Sequence, residues 1–135
     1  MVLPITTFAT LALAGLYIVL TMRVIDARRA AGVSIGDGGD ALLSRRMRGQ
    51  ANFTENVPIT LLVMVVTELQ TVTVLPNAFS ILFALAAVAF VLGRVLHGCA
   101  FCFSDNWPFG RMGGMLLTFG SMIVLILLAI FAVLA

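Results

Sequence analysis

Charge is what this chain has least of. Only 10% of its 135 residues are charged and 61% are hydrophobic, whereas a soluble domain carries about a quarter charged residues. With a mean hydropathy of +1.15, the composition excludes a soluble globular protein and indicates one embedded in a membrane. Lysine is absent, and all eight basic residues are arginines. They are dispersed, and a net charge of +2 is too small to indicate a nucleic-acid partner. Cysteine occurs only at Cys99 and Cys102, on one expected cytoplasmic edge, which excludes a disulfide framework. Repeats and low-complexity segments are also missing. The run from Met1 to Met22 lacks a basic leading segment and is longer than the apolar core of a signal peptide. Ala12-Leu13-Ala14 looks like a cleavage site but lies mid-run, so the segment reads as a retained first transmembrane helix.

What is present is a set of four long, largely apolar stretches, which predict an all-α membrane protein. The length allows one small four-helix bundle and no separate soluble domain. The helices are expected at about residues 4–27, 41–68, 78–101 and 111–135. Pro58 predicts a kink in the second, which at 28 residues would be about 42 Å long and so project beyond the hydrocarbon. Arg28 to Asp40, with Gly32, Gly36, Gly38 and Gly39, reads as a turn-rich loop. Thr71 to Asn77 is a short turn around Pro76, and Cys102 to Gly110 a third loop whose Trp107 suits a membrane interface. Arginines cluster around the first and third loops, which the positive-inside rule places in the cytoplasm, with both termini outside. Gly110 and Gly114 at GxxxG spacing, Gly120 with Ser121, and the small residues from Ala9 to Gly15 favour self-association; the alternative is that Gly and Ala are simply common in such helices.

The second helix carries the strongest functional signal. Arg48, Asn52 and Glu55 stand at i, i+4 and i+7, within about 60° of one another on one helix face. Arg45 and Asn56 widen the stripe to about 100°. From Asn56 to Thr67 there are only twelve uncharged residues, too few to span alone, since about twenty are needed. The charged half must then lie at membrane depth, where charges face a bundle interior or a polar cavity. The stripe is expected to point inward, with partners drawn from Arg23, Arg94, another subunit or a ligand. Arg48 and Glu55, about 10 Å apart along the axis, do not neutralise each other. A small zwitterion with carboxylates for the arginines and an amine for Glu55 fits, because the arginine fork binds carboxylates bidentately. The alternative is an ion-pair network that only fixes helix register.

Arg111, at the expected start of the fourth helix, opposes the helix dipole unless an anion binds between them. A thiolate is one such anion, because helix N-termini and arginines stabilise that form of a thiol; an interfacial arginine on lipid phosphate is the other reading. His97, Cys99 and Cys102 form H-x-C-x-x-C. A zinc site needs four ligands and only Asp105 is near, so no metal is expected and the cysteines read as packing residues. Gly36-Asp37-Gly38-Gly39-Asp40 has too few carboxylates for calcium and reads as a turn. Asn52-Phe53-Thr54 matches a glycosylation sequon but lies on the charged half of a spanning helix. The seven methionines read as packing.

The stretch Arg48-Gly49-Gln50-Ala51-Asn52-Phe53-Thr54-Glu55-Asn56-Val57-Pro58 resembles the second-helix signature of the MAPEG superfamily, the membrane-associated proteins in eicosanoid and glutathione metabolism. The resemblance covers nearly the whole chain, with Arg23 closing the first helix, Arg94 and His97 late in the third, and Arg111 opening the fourth. The acidic loop and Pro58 look most like the bacterial branch, which implies a bacterial inner membrane. The resemblance implies a homotrimer of four-helix subunits with glutathione, a co-substrate, bound between neighbours and open to the cytoplasm. Arg48, Asn52 and Glu55 would hold the charged and amide groups of glutathione, Arg23, Arg94 and His97 would join from other helices, and Arg111 would face the sulfur as the catalytic residue. The implied activity is that of a glutathione transferase or peroxidase acting on a lipophilic small molecule delivered from membrane lipid. Two positions depart from the pattern. Phe101 stands where family enzymes commonly have a tyrosine, and Gln50 where many have histidine. The missing hydroxyl keeps open a non-catalytic membrane protein that binds and presents glutathione or a lipid.

Overall fold

The computed structural model describes residues 3–74, 77–103 and 107–134. They form four α-helices: α1 (Pro4–Ala31), α2 (Ala41–Val74), α3 (Asn77–Cys102) and α4 (Pro108–Leu134). The expected turn around Pro76 and the expected contribution of Asp105 lie outside the described residues. All four helices match the expected order, with longer bounds at several ends. α2 extends to Val74 and runs through Pro58 without a break. Its 34 residues reach about 51 Å. α1, α3 and α4 are each long and apolar enough to cross a membrane. α2 has the length but is less apolar, because it carries Arg45, Arg46, Arg48, Glu55 and Glu68. The protein is therefore an integral membrane protein of all-α architecture.

The ends of the helices follow from local chemistry. α1 closes on Gly32 at φ 66°, whose N–H donates to the carbonyls of Arg28 and Arg29; a left-handed residue at this place is the common glycine terminator. The following Gly-Asp segment is a turn, as its composition predicts. The Gly39 N–H donates to Asp37 Oδ1, which holds the exposed Asp37 carboxyl below its ordinary carboxylate value with help from Ser44. Asp40 then caps α2, accepting from the Leu43 N–H at 2.7 Å. α4 begins three residues earlier than expected, at Pro108, where proline's fixed φ and missing N–H suit a first helical position.

α2 and α3 each touch every other helix, while α1 and α4 occupy opposite corners. Between Phe53 and Thr67 the buried residues of α2 are Phe53, Val57, Thr60, Met64 and Thr67, a 4-3-4-3 spacing that makes one narrow seam. That seam meets Leu13 and Leu20 of α1, Phe83 and Phe90 of α3, and Leu125 and Leu128 of α4. Large apolar side chains such as Phe8, Leu116 and Val133 point outward, as a lipid-facing surface requires. α3 and α4 cross at their glycines. A Cβ on Gly114 would meet the Gly93 carbonyl at 2.7 Å, and one on Gly93 would meet the Gly114 carbonyl at 2.9 Å. Gly114 thus packs inside the subunit against α3, Gly110 lies against the Trp107 ring, and Gly113 and Gly120 face open space.

Charge organises both ends of the bundle. Leu3 supplies no side-chain cap to α1; instead Glu68, buried at the far end of α2, accepts from the Ile5 and Thr6 N–H groups at 3.0 and 2.8 Å. At the other end, Arg45 donates to the Ala100 carbonyl at 2.7 Å and Arg23 to the Cys102 carbonyl at 3.2 Å. Cations here complement the negative end of α3, and the first loop and the end of α3 are thereby held at the same end of the bundle.

Candidate functional site

The seam on α2 decides where its charged stripe goes. Because Phe53 and Val57 turn into the core, Asn52, one residue earlier, falls about 100° away at the edge of the interface. Arg48 and Glu55 fall farther round and are exposed on the single chain. The expectation of a stripe pointing into its own bundle is corrected in this respect. Apolar Phe53 and Val57 displace it sideways, and of Arg48, Asn52 and Glu55 only half-buried Asn52 bonds to the neighbouring helix.

A cavity of about 440 Å³ opens between α2, α3 and the start of α4, lined by Arg48, Asn52, His97, Phe101, Pro108, Arg111, Met112 and Met115. Close backbone approach builds its floor. Gly49 sits so near α3 that a Cβ there would lie 2.6 Å from Phe101 Cβ, and a Cβ on Gly114 would lie 2.8 Å from His97 Cβ. Arg111, in the first turn of α4, donates its backbone N–H to the Trp107 carbonyl and places its guanidinium 5.0 Å from the Phe101 ring centre. His97 and Phe101, one turn apart on α3, have ring centres 4.8 Å apart. A second cavity of about 420 Å³, lined by Ser44, Met47, Arg48, Ala51, Asn52 and Glu55, lies on the other side of the stripe. Arg48 and Asn52 are common to both.

Beneath the cavity floor lies Arg94, fully buried. Its Nη2 donates to Asn52 Oδ1 at 3.0 Å and lies 2.9 Å from His97 Nδ1. Its Nε and Nη1 have no hydrogen-bond partner among the described residues. The guanidinium also lies 5.9 Å from the Phe53 ring centre, a cation–π approach. One buried arginine thus ties α2 to α3 at the site.

Of the seven residues singled out in the sequence, four line the larger cavity: Arg48, Asn52, His97 and Arg111. Arg94 joins through hydrogen bonds to two of them, and Glu55 lines the adjoining cavity. Arg23 is not brought there: its guanidinium caps α3 and lies 4.7 Å from the Phe103 ring centre. His97 is turned to Arg94 rather than grouped with the cysteines, of which Cys99 is half-buried and Cys102 buried, both free. The sequence reading did not assign Met112 and Met115 to the site, although both follow Arg111 at helical spacing. Among the described residues no carboxylate lines the larger cavity, so its polar rim favours an anion, and its methionines give an adaptable apolar wall.

Comparison with curated proteins and with solved structures gives no match. The model of the MAPEG family matches residues 6–131, nearly the whole chain, reaching into all four helices and taking in every residue that lines the two cavities. The chain therefore belongs to the MAPEG family, membrane proteins in glutathione and eicosanoid metabolism.

Proposed function

We propose that this protein is a membrane glutathione transferase, with peroxidase activity toward lipid hydroperoxides, whose site is completed between copies of the chain in a homotrimer. The observation that carries this reading is the cavity rim of Arg48, Asn52, His97 and Arg111, joined by no carboxylate among the described residues, in a family of glutathione metabolism. Glutathione has two carboxylates, one amine and one thiol. Arg48 suits a carboxylate, the Asn52 amide a backbone group, and Glu55 in the adjoining cavity the amine. Arg23 is a member of this set only if a neighbouring copy brings its helix end to the site. Exposure of Arg48 and Glu55 on the single chain supports the trimer, because charges at membrane depth do not face lipid. The same arginine distribution supports an orientation with both termini outside and glutathione entering from the cytoplasm.

Arg111 stabilises the thiolate. Moving a thiol pKa from about 8.5 toward about 6.5 converts a few per cent of thiolate at neutral pH into most of the population. The thiolate attacks an electrophilic carbon of a lipophilic substrate, forming the carbon–sulfur bond as the leaving group departs with its electron pair. With a hydroperoxide, sulfur takes the terminal oxygen and the alcohol leaves. A second glutathione thiol then condenses with the resulting sulfenic acid to give the disulfide and water. Met112 and Met115, beside Arg111, supply the apolar wall for either substrate. The experiment is glutathione difference absorbance of the detergent-solubilised protein. A thiolate band is expected and should be lost in Arg111→Ala, and a band preserved in that variant would reject the role of Arg111.

A second reading is favoured by one observation. Phe101, packed against both His97 and Arg111, has no hydroxyl to offer a thiolate, as expected of a module that binds glutathione or a lipid and presents it. Conjugation of a generic aryl halide counts against this reading, and saturable binding without turnover supports it.

A further inference from the structure

The contact between Arg94 and His97 fixes a proton. Every polar hydrogen of a guanidinium is a donor and none of its nitrogens accepts. His97 Nδ1, 2.9 Å from Arg94 Nη2, must therefore be the accepting, unprotonated nitrogen. The neutral ring then carries its hydrogen on Nε2. The same argument orients Asn52. Its Oδ1 accepts from the same Nη2, which leaves the Asn52 NH₂ group as a donor on the other edge of the amide. Arg94 is buried with two further nitrogens unpartnered, so among the described residues it makes no hydrogen bond beyond these that would relax the arrangement.

The far edge of the His97 ring reaches the cavity. His97 lines it, and Nε2 has no acceptor among the described residues. Yet Nε2 is not among the sealed, unpartnered side-chain atoms, to which Arg94 contributes Nε and Nη1. Among the described residues Arg111 of α4 and Arg48 of α2 are the charged groups on the same cavity, and Phe101 packs against both the His97 ring and the Arg111 guanidinium. We infer that Arg94 is a positioning residue that locks His97 as the Nε2–H tautomer, and that this N–H is the second donor to the glutathione sulfur, filling the place left by the hydroxyl that Phe101 lacks. The inference rests on the glutathione reading above and deepens it, since Arg111 then shares the sulfur with a neutral donor.

The chain has one histidine, so a sample labelled with ¹⁵N at histidine reports on this ring alone. In the detergent-solubilised protein, a pyridine-type Nδ1 and a pyrrole-type Nε2 are expected, with the Nε2–H resonance moving when glutathione is added. His97→Phe should raise the midpoint pH of the thiolate band by about one unit, a tenfold loss of thiolate preference, without abolishing binding. His97→Gln, which keeps an N–H donor, should recover part of that loss. A hydrogen on Nδ1, or a doubly protonated ring at neutral pH, would overturn the locking by Arg94 even if every variant failed to fold. A thiolate band with an unmoved Nε2–H would overturn the sulfur contact and leave the transferase reading standing. Failure of glutathione to bind at all would remove that reading and the sulfur contact with it, while the tautomer of the free protein would still judge Arg94.

Discussion

Replacing Glu68 with alanine tests how the apolar end of the bundle is held. The first-turn N–H groups of α1 have no intrahelical partner, and Leu3 offers no side-chain acceptor. Glu68 meets two of them, at 3.0 and 2.8 Å, across 63 and 62 residues of sequence. Hydrogen bonds to a charged group contribute about 1.5–3 kcal/mol each, and a carboxylate at a helix N-terminus adds up to about 2 kcal/mol in a partly buried setting. Against this stands the cost of burying the carboxylate itself, which alanine removes. The net expected loss for Glu68→Ala is about 2–4 kcal/mol. Glu68→Gln keeps one acceptor but turns an NH₂ group toward a donor, and should lose roughly half as much. Equilibrium unfolding of the detergent-solubilised protein, followed by circular dichroism, measures the loss. Amide exchange at Ile5 and Thr6 localises it, with acceleration of at least about thirtyfold expected, since about 1.4 kcal/mol is a factor of ten. Glutathione binding should be unchanged, because Glu68 lies sixteen residues, or about 24 Å, along α2 from Asn52. Stability within about 0.5 kcal/mol of the parent, or unaltered exchange at Ile5 and Thr6, would refute the clasp.

Other perturbations probe the site and its floor. Asn52→Leu leaves buried Arg94 with one fewer partner and should cost about 2–4 kcal/mol of stability by thermal unfolding while weakening glutathione binding. Gly114→Val places a side chain where a Cβ alone meets the Gly93 carbonyl at 2.7 Å; forcing α3 from α4 should cost about 1–3 kcal/mol, read by denaturant titration. Gly113→Ala, at a position with open space, should change stability by less than about 0.5 kcal/mol and serves as its control. Asp40→Ala removes the α2 cap and should cost about 1 kcal/mol, detected in the same titration.

Much of the fold was legible in the sequence because three of the helices are long apolar runs that admit no other reading. The glycine-bounded loop was legible too, and its Asp40 is a cap chosen by chemistry that operates within one turn. α4 was expected at Arg111, although Pro108 and the N-terminal preference of proline mark the earlier start. The stripe on α2 was found by spacing alone, but spacing could not tell which neighbour it faces. That depended on Phe53 and Val57 winning the core. The pairing of Arg94 with Asn52 joins positions 42 residues apart, and Glu68 with Ile5 joins positions 63 apart; no local period carries such information. The lack of any capping residue before Pro4, with a lone carboxylate at the end of the second apolar run, was the one available hint of the clasp. Arg23 shows the opposite case: a helix-terminal arginine fits a ligand role by resemblance, but within one chain it finds the nearest backbone carbonyl.

The most direct test of the central claim is calorimetric titration of the detergent-solubilised protein with glutathione, alongside Arg48→Ala and Arg23→Ala. A donor-lined cavity between α2, α3 and α4 predicts saturable binding that Arg48→Ala weakens at least about tenfold, the expected loss of a charge-assisted contact. Arg23→Ala would be affected only if a neighbouring copy supplies that residue. Absence of saturable binding, or binding of full strength in Arg48→Ala, would contradict it.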